Sequence, residues 1–201
     1  MFNIFIIISQ IPAAFLVLVI HESVKAHCST KLGDPTPKHH GLLQGNPLKY
    51  IEPVGFILTV IMGFGWGRPT PTSPIYYKDR VKGVLITFIT PSLINLIIGL
   101  ATVIFIGLLD EAFGFLLSGI PRLLLMSFAR VNIAVALFNM IPVPPLDAAK
   151  ILQVLLSPNA AVKMTQNEKI LQVVLMFLIL LQVVSGVINP IVNTLVSVVR
   201  F

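Results

Sequence analysis

The chain has 201 residues, 56% apolar and 11% charged, with a formal net charge of +6 and one cysteine. A soluble domain carries about 25% charged residues, so the composition excludes an ordinary soluble globule and points to an all-α polytopic membrane protein built as one bundle. The lone Cys28 excludes an internal disulfide, and the excess positive charge reads as loop lysines that set orientation, not as a nucleic-acid surface.

Residues 4–27 form the first apolar run. It lacks a basic leader and carries His21 and Glu22, so it is expected to be a retained membrane helix, with Pro12 as a tolerated kink. Residues 28–50 are polar and rich in turn signals, such as Gly33-Asp34-Pro35 and Gly45-Asn46-Pro47. Lys25, Lys31, Lys38 and Lys49 place this end on the cytoplasmic side. The run 51–66 is short and broken by glycines, while a span needs about 20 residues. Basic segments flank it on both sides, with Arg68, Lys78, Arg80 and Lys82 following. A re-entrant segment or hairpin is therefore expected, shielded by protein.

Residues 83–109 are read as the second span. The loop with Asp110 and Glu111 is placed outside, and residues 112–121 are read as an interfacial run. The third span covers 123–147 and ends in Asn139-Met140-Ile141-Pro142-Val143-Pro144-Pro145-Leu146-Asp147, where the prolines forbid a regular helix. The last hydrophobic region, 168–199, is bent or divided at Gly186 or Asn189-Pro190. The domain reading is a single membrane domain over 1–201, with a core at 4–152 and this C-terminal region beside it.

The chemistry concentrates at His21-Glu22-Ser23-Val24-Lys25. Two histidines at i and i+4 on one helix face grip a zinc ion, and the glutamate beside the first activates metal-bound water. Here residue 25 is lysine. Its side chain lies on the correct face, but an ammonium is a donor and a cation and repels zinc. His27 lies about 240° around the helix and faces away, and His39 and His40 lie in a polar loop. Taken alone, the His-Glu pair also reads as a chance dipeptide at a helix end. Spans one and three run inward, so His21 and Glu22 share a membrane side with Asp147. Ionisable residues at that depth face a bundle interior or a cavity, and His21, Glu22, Lys25 and Asp147 are expected to converge. The bland alternative is that Asp147 caps the helix after the prolines.

Several segments taken together resemble the site-2 protease family, M50-type intramembrane zinc metalloproteases, in its compact form. They run in order over residues 17–152: His21-Glu22, Leu32-Gly33-Asp34-Pro35-Thr36, Asn46-Pro47-Leu48-Lys49 and Glu52-Pro53-Val54-Gly55 come first. Gly65-Trp66-Gly67-Arg68-Pro69-Thr70-Pro71, Pro91 with Asn95, and Phe138 through Asp147 complete the set. The resemblance implies a core of three transmembrane helices plus a hairpin. It also implies zinc held by His21 and Asp147, Glu22 as general base, and Asn139 holding the substrate backbone or oxyanion. A membrane-spanning substrate would be cut within the bilayer.

The departures fall at the chemistry. Lys25 replaces the second histidine ligand. Tyr50 and Glu52 stand where histidine and aspartate are common, Thr90 replaces a glycine, Ala148 and Ala149 replace a glycine-containing pair, and Leu42 or Leu43 stands in place of a basic residue. The expectation is a pseudoprotease in which the Lys25 ammonium fills the metal position, neutralises Glu22 and Asp147, and leaves zinc weakly bound or absent. Such a protein would bind the transmembrane helix of a partner. The alternatives are an active zinc intramembrane endopeptidase and a structural subunit of a larger membrane complex.

Overall fold

The computed structural model describes residues 4–113 and 119–198. Among them the regular structure is helical, with no strand. The helices are α1 (Ile4–Lys31), α2 (Thr36–His39), α3 (Pro53–Met62), α4 (Arg80–Phe113), α5 (Ile120–Phe138), α6 (Asp147–Leu155), α7 (Pro158–Gln166), α8 (Glu168–Leu180) and α9 (Val183–Val198). Three of these, α1, α4 and α5, are long and apolar enough to cross a membrane, and the bent pair α8–α9 reaches that length only when its two helices are taken together as one broken span. The protein is a polytopic membrane protein.

The three spans pack on one another as the core. Lipid tails are as apolar as leucine, so burial alone does not hold membrane helices together. Close approach and polar cross-links do. Gly99 supplies the first: a side chain there would stand 2.6 Å from Ile133 Cγ1 and 2.9 Å from the Ala129 carbonyl oxygen, so α4 and α5 meet backbone to side chain. Ser9 on α1 and Ser127 on α5 supply the second, with their hydroxyls 2.7 Å apart in the buried interface. Ala13, Val17 and Leu18 of α1 pack against Val131 and Val135 of α5 around this pair.

Residues 51–66 do not cross. At 1.5 Å per residue α3 is about 15 Å long, half of the roughly 30 Å hydrocarbon layer. The Glu52 carboxylate caps it, accepting from Gly55 N at 2.6 Å. The chain turns at Gly63 and comes back without regular structure to Arg68, whose N–H donates to the Tyr50 carbonyl at 2.8 Å. Residue 68 is thus level with residue 50, as the hairpin expectation requires.

The third span ends at Phe138, and residues 139–146 form the proline turn that leads into α6. Of the interfacial run expected at 112–121, residues 114–118 lie outside the described residues, while α4 continues to Phe113 and α5 begins at Ile120. The C-terminal region divides earlier than Gly186 or Pro190. α8 and α9 meet at 64°, and Gln182 between them has φ 59°. The cause is the apolar stripe. Leu175 and Ile179, then Val184, Ile188, Val192 and Val196, all enter the main core. The step from 179 to 184 is five residues where the others are four, so a straight helix would rotate one stripe off the core. Pro190 lies inside α9 without ending it.

Candidate functional site

The site is built from three distant pieces of chain. The C-terminal half of α1 brings His21, Glu22 and Lys25 to one face, as spacings of three and four residues do. The proline turn then delivers Asp147 as the first residue of α6. The Asn139 carbonyl accepts from Ala148 N at 3.0 Å and Val143 O from Leu146 N at 3.0 Å, which pins the turn. The return arm of the α3 hairpin brings Thr70. His21, Glu22, Lys25 and Asp147 are each at most 3% exposed, so the four predicted residues converge.

Their contacts form a closed network. Lys25 Nζ donates to Glu22 Oε1 at 2.7 Å and lies 2.6 Å from Asp147 Oδ1. The other oxygen of Asp147, Oδ2, is 2.9 Å from His21 Nε2. The other oxygen of Glu22, Oε2, accepts from Thr70 N at 3.1 Å and from Thr70 Oγ1 at 2.8 Å. Across the ring, His21 Nδ1 is 3.3 Å from Asn95 Nδ2. An amide N–H on Nδ1 requires Nδ1 to accept, which places the imidazole proton on Nε2, donating to Asp147. Lys25 Nζ also lies 5.7 Å from the centre of the Phe88 ring, within cation–π reach.

Asp147 does not cap α6, since its side chain makes no capping bond and both its oxygens face α1. Asn139 lies at the end of α5, buried, with Nδ2 donating to the Val135 carbonyl at 2.9 Å. No hydrogen bond joins its side chain to the four-residue cluster. His27 is exposed and folds back onto the Ser23 carbonyl, and His39 and His40 are also exposed.

His21, Glu22 and Asp147 each offer a ligand atom, all within 4.8 Å of one another. The donor set nevertheless does not fit a zinc ion. A protein zinc site wants three or four lone-pair donors around one point, and here an ammonium hydrogen-bonds to both carboxylates from within the cluster. Lys25 has no lone pair to offer while it is charged, and its charge has the sign of the metal. The second imidazole that would replace it is lacking.

Thr70 and Asn95 were not singled out for these roles from the sequence. Thr70 lies 48 residues from Glu22 in a proline-rich stretch with no periodicity, and nothing in its neighbourhood signals the contact. The structure gives the reason at Gly67, where a side chain would stand 2.6 Å from Glu22 Cγ and 2.8 Å from the Tyr50 carbonyl oxygen. The return arm approaches Glu22 closely only because residue 67 lacks a side chain. Tyr50 itself is buried, and its hydroxyl donates to the Leu42 carbonyl at 2.5 Å, so this position ties the loop together.

Two cavities flank the cluster. One, of about 250 Å³, is lined by Lys25, Thr70, Phe88 and Asp147 and opens towards Lys150. The other, of about 680 Å³, is an apolar groove between α8 and the hairpin, lined by Val54, Trp66, Pro69, Pro145, Met176 and Phe177 among others. The two share Pro69 and Pro145.

The chain is similar to a protein of Bacillus subtilis (strain 168), "Putative zinc metalloprotease YwhC", with 34% identity over 197 residues, covering 92% of this chain and 88% of that one. No protein-family profile matches the chain, and no solved structure matches it.

Proposed function

The chain belongs to the metalloprotease family represented by that Bacillus subtilis protein, and from this membership we propose that it is a pseudoprotease of site-2-protease type. It keeps the shape of the site and has exchanged the metal for an internal cation. The observation that supports this reading is the position of Lys25 Nζ, 2.7 Å from Glu22 and 2.6 Å from Asp147. Two buried carboxylates without a counter-charge are expensive inside a membrane protein. The ammonium offsets that cost, as a metal otherwise would.

The same network disarms the general base. A base must be free to approach the proton that it takes. Here one oxygen of Glu22 is held by Lys25 and the other by the N–H and hydroxyl of Thr70. The remaining function is recognition. The groove between α3, the return arm and α8 has the apolar lining to take the transmembrane helix of a partner, and it shares Pro69 and Pro145 with the small cavity at Lys25 and Asp147, so such a helix would lie beside the closed site. We place this end of the bundle on the cytoplasmic side, because Lys31, Lys38, Lys49, Arg80 and Lys150 gather there.

The test is metal content and cleavage on one preparation. Protein purified without chelators is expected to carry far less than one zinc per chain and to leave membrane-spanning substrates intact. Stoichiometric zinc, together with cleavage abolished by Glu22→Gln, would select an active intramembrane protease. Stable co-purification with a multi-subunit assembly in place of a single helix partner would select a structural subunit.

A further inference from the structure

A third cavity, of about 420 Å³, lies where the start of α4 meets the α6–α7 pair. Two cations line it, Arg80 and Lys150, together with the polar side chains of Gln153 and Thr165, and no acidic residue lines it. Both cations are exposed. Neither has a carboxylate within ion-pair distance among the described residues. The nearby Asp79 is occupied, capping α4 through Lys82 N at 3.0 Å.

The height of this cavity follows from the length of α4. Its 34 residues measure about 50 Å, against a hydrocarbon layer of roughly 30 Å. The first turn therefore reaches headgroup depth, and Val84 and Phe88, one and two turns further along, descend into the apolar layer. Those two also line the cavity. Val84 and Phe88 are themselves buried, and the accessible apolar lining includes Val154 and Val162 on α6 and α7; a positive rim at headgroup level beside these apolar side chains matches one end of a phospholipid.

We propose that this cavity binds one phospholipid with a net negative headgroup, its phosphate between Arg80 and Lys150 and the start of an acyl chain against the half-buried Val154 and the exposed Val162. The cavity shares Thr72, Phe88 and Lys150 with the smaller pocket that reaches Lys25 and Asp147. The bound lipid stands at the mouth of that pocket. The inference rests on the membrane setting and the charge pattern, and it holds whether or not the site binds zinc.

Native mass spectrometry of the full chain in mild detergent tests it. The probe is an equal mixture of phosphatidylglycerol and phosphatidylcholine with identical acyl chains. The expected result is one retained phosphatidylglycerol, preferred by about tenfold or more, since each cation near the surface strengthens the attraction. Arg80→Gln with Lys150→Gln should bring the preference close to one. Arg80→Lys with Lys150→Arg should keep it, and so should Lys31→Gln with Lys38→Gln, which removes the same charge elsewhere. Equal retention of the two lipids overturns the proposal, as does an undiminished preference in the Gln pair. Displacement of the lipid by inorganic phosphate alone would assign the cavity to a free anion, and displacement by a short carboxylate-ended peptide would assign it to a polypeptide; either result overturns the lipid assignment.

Discussion

Replacing Lys25 by methionine isolates the cation from everything else in the site. Methionine is unbranched, of similar length and adaptable in packing, so the chief loss is the charge. Glu22 would keep its two bonds from Thr70. Asp147 would keep only His21 Nε2, at 2.9 Å, and so bears most of the cost. Breaking a buried ion pair by removing one partner costs about 3–5 kcal/mol. Protonation limits that loss: bringing an aspartic acid of ordinary pKa to its neutral form at pH 7 costs about 4 kcal/mol, at roughly 1.4 kcal/mol per pH unit. Lys25→Met should therefore lose about 4 kcal/mol at pH 7 and only about 1–2 kcal/mol at pH 5, where the proton is cheaper to bind. Adding Asp147→Asn should recover part of the pH 7 loss, because the unpaired charge is gone. Equilibrium unfolding in mixed micelles at the two pH values reads all of this. A loss under about 1 kcal/mol at pH 7, or one that does not shrink with pH, would refute the idea that the ammonium balances these carboxylates.

Four further outcomes follow from the geometry. Lys25→His places an imidazole four residues after His21 on the same face, and the protein should then take up one zinc per chain, with stabilisation of about 2.7 kcal/mol at a hundredfold excess over the dissociation constant; elemental analysis finding no uptake counts against the preserved scaffold. Gly67→Ala forces a side chain to within 2.6 Å of Glu22 Cγ and should destabilise by about 1–3 kcal/mol, measured by the same unfolding assay. Thr70→Val removes the hydroxyl bond to Glu22 Oε2 and should cost about 1.5–3 kcal/mol, the range for a hydrogen bond to a charged group. Asp34 lies outside the spans. Burial pushes its carboxyl up, but hydrogen bonds from Thr36, Ser73 and Ser29 outweigh burial and hold it below its ordinary 3.8. A depressed value means stability that is full above 3.8 and lost as pH falls through the folded value. Asp34→Asn should therefore cost about 2 kcal/mol at neutral pH, with the gap to the unmodified protein closing below about pH 4; a constant gap down to pH 3 would contradict this.

The membrane class and the three spans were legible because they rest on local quantities: run length, apolar content and charge in the flanks. For residues 51–66 the same quantities suggest a hairpin without deciding against a crossing, and the return of Arg68 to Tyr50 decides for the hairpin. The convergence of His21, Glu22, Lys25 and Asp147 was also legible, since helical spacing and the two crossings between α1 and Asp147 place them at one end. The bend at Gln182 was not legible. No breaker residue marks it, and it comes from the change of stripe between Ile179 and Val184 as both faces seek the core. Glu52 looked like a departure at the chemistry, and it serves as the cap of α3.

By itself the amino-acid sequence determined that this is a multi-span membrane chain with a metalloprotease-like motif in which an amine stands where an imidazole belongs. Periodicity, spacing and side-chain chemistry decide those things without reference to the rest of the molecule. Only the tertiary structure decided that the amine bridges both carboxylates and that Thr70 holds the far oxygen of Glu22. Hydrogen bonds between residues 48 and 126 positions apart depend on how the hairpin and the proline turn pack against α1, and no local pattern encodes distances of that kind.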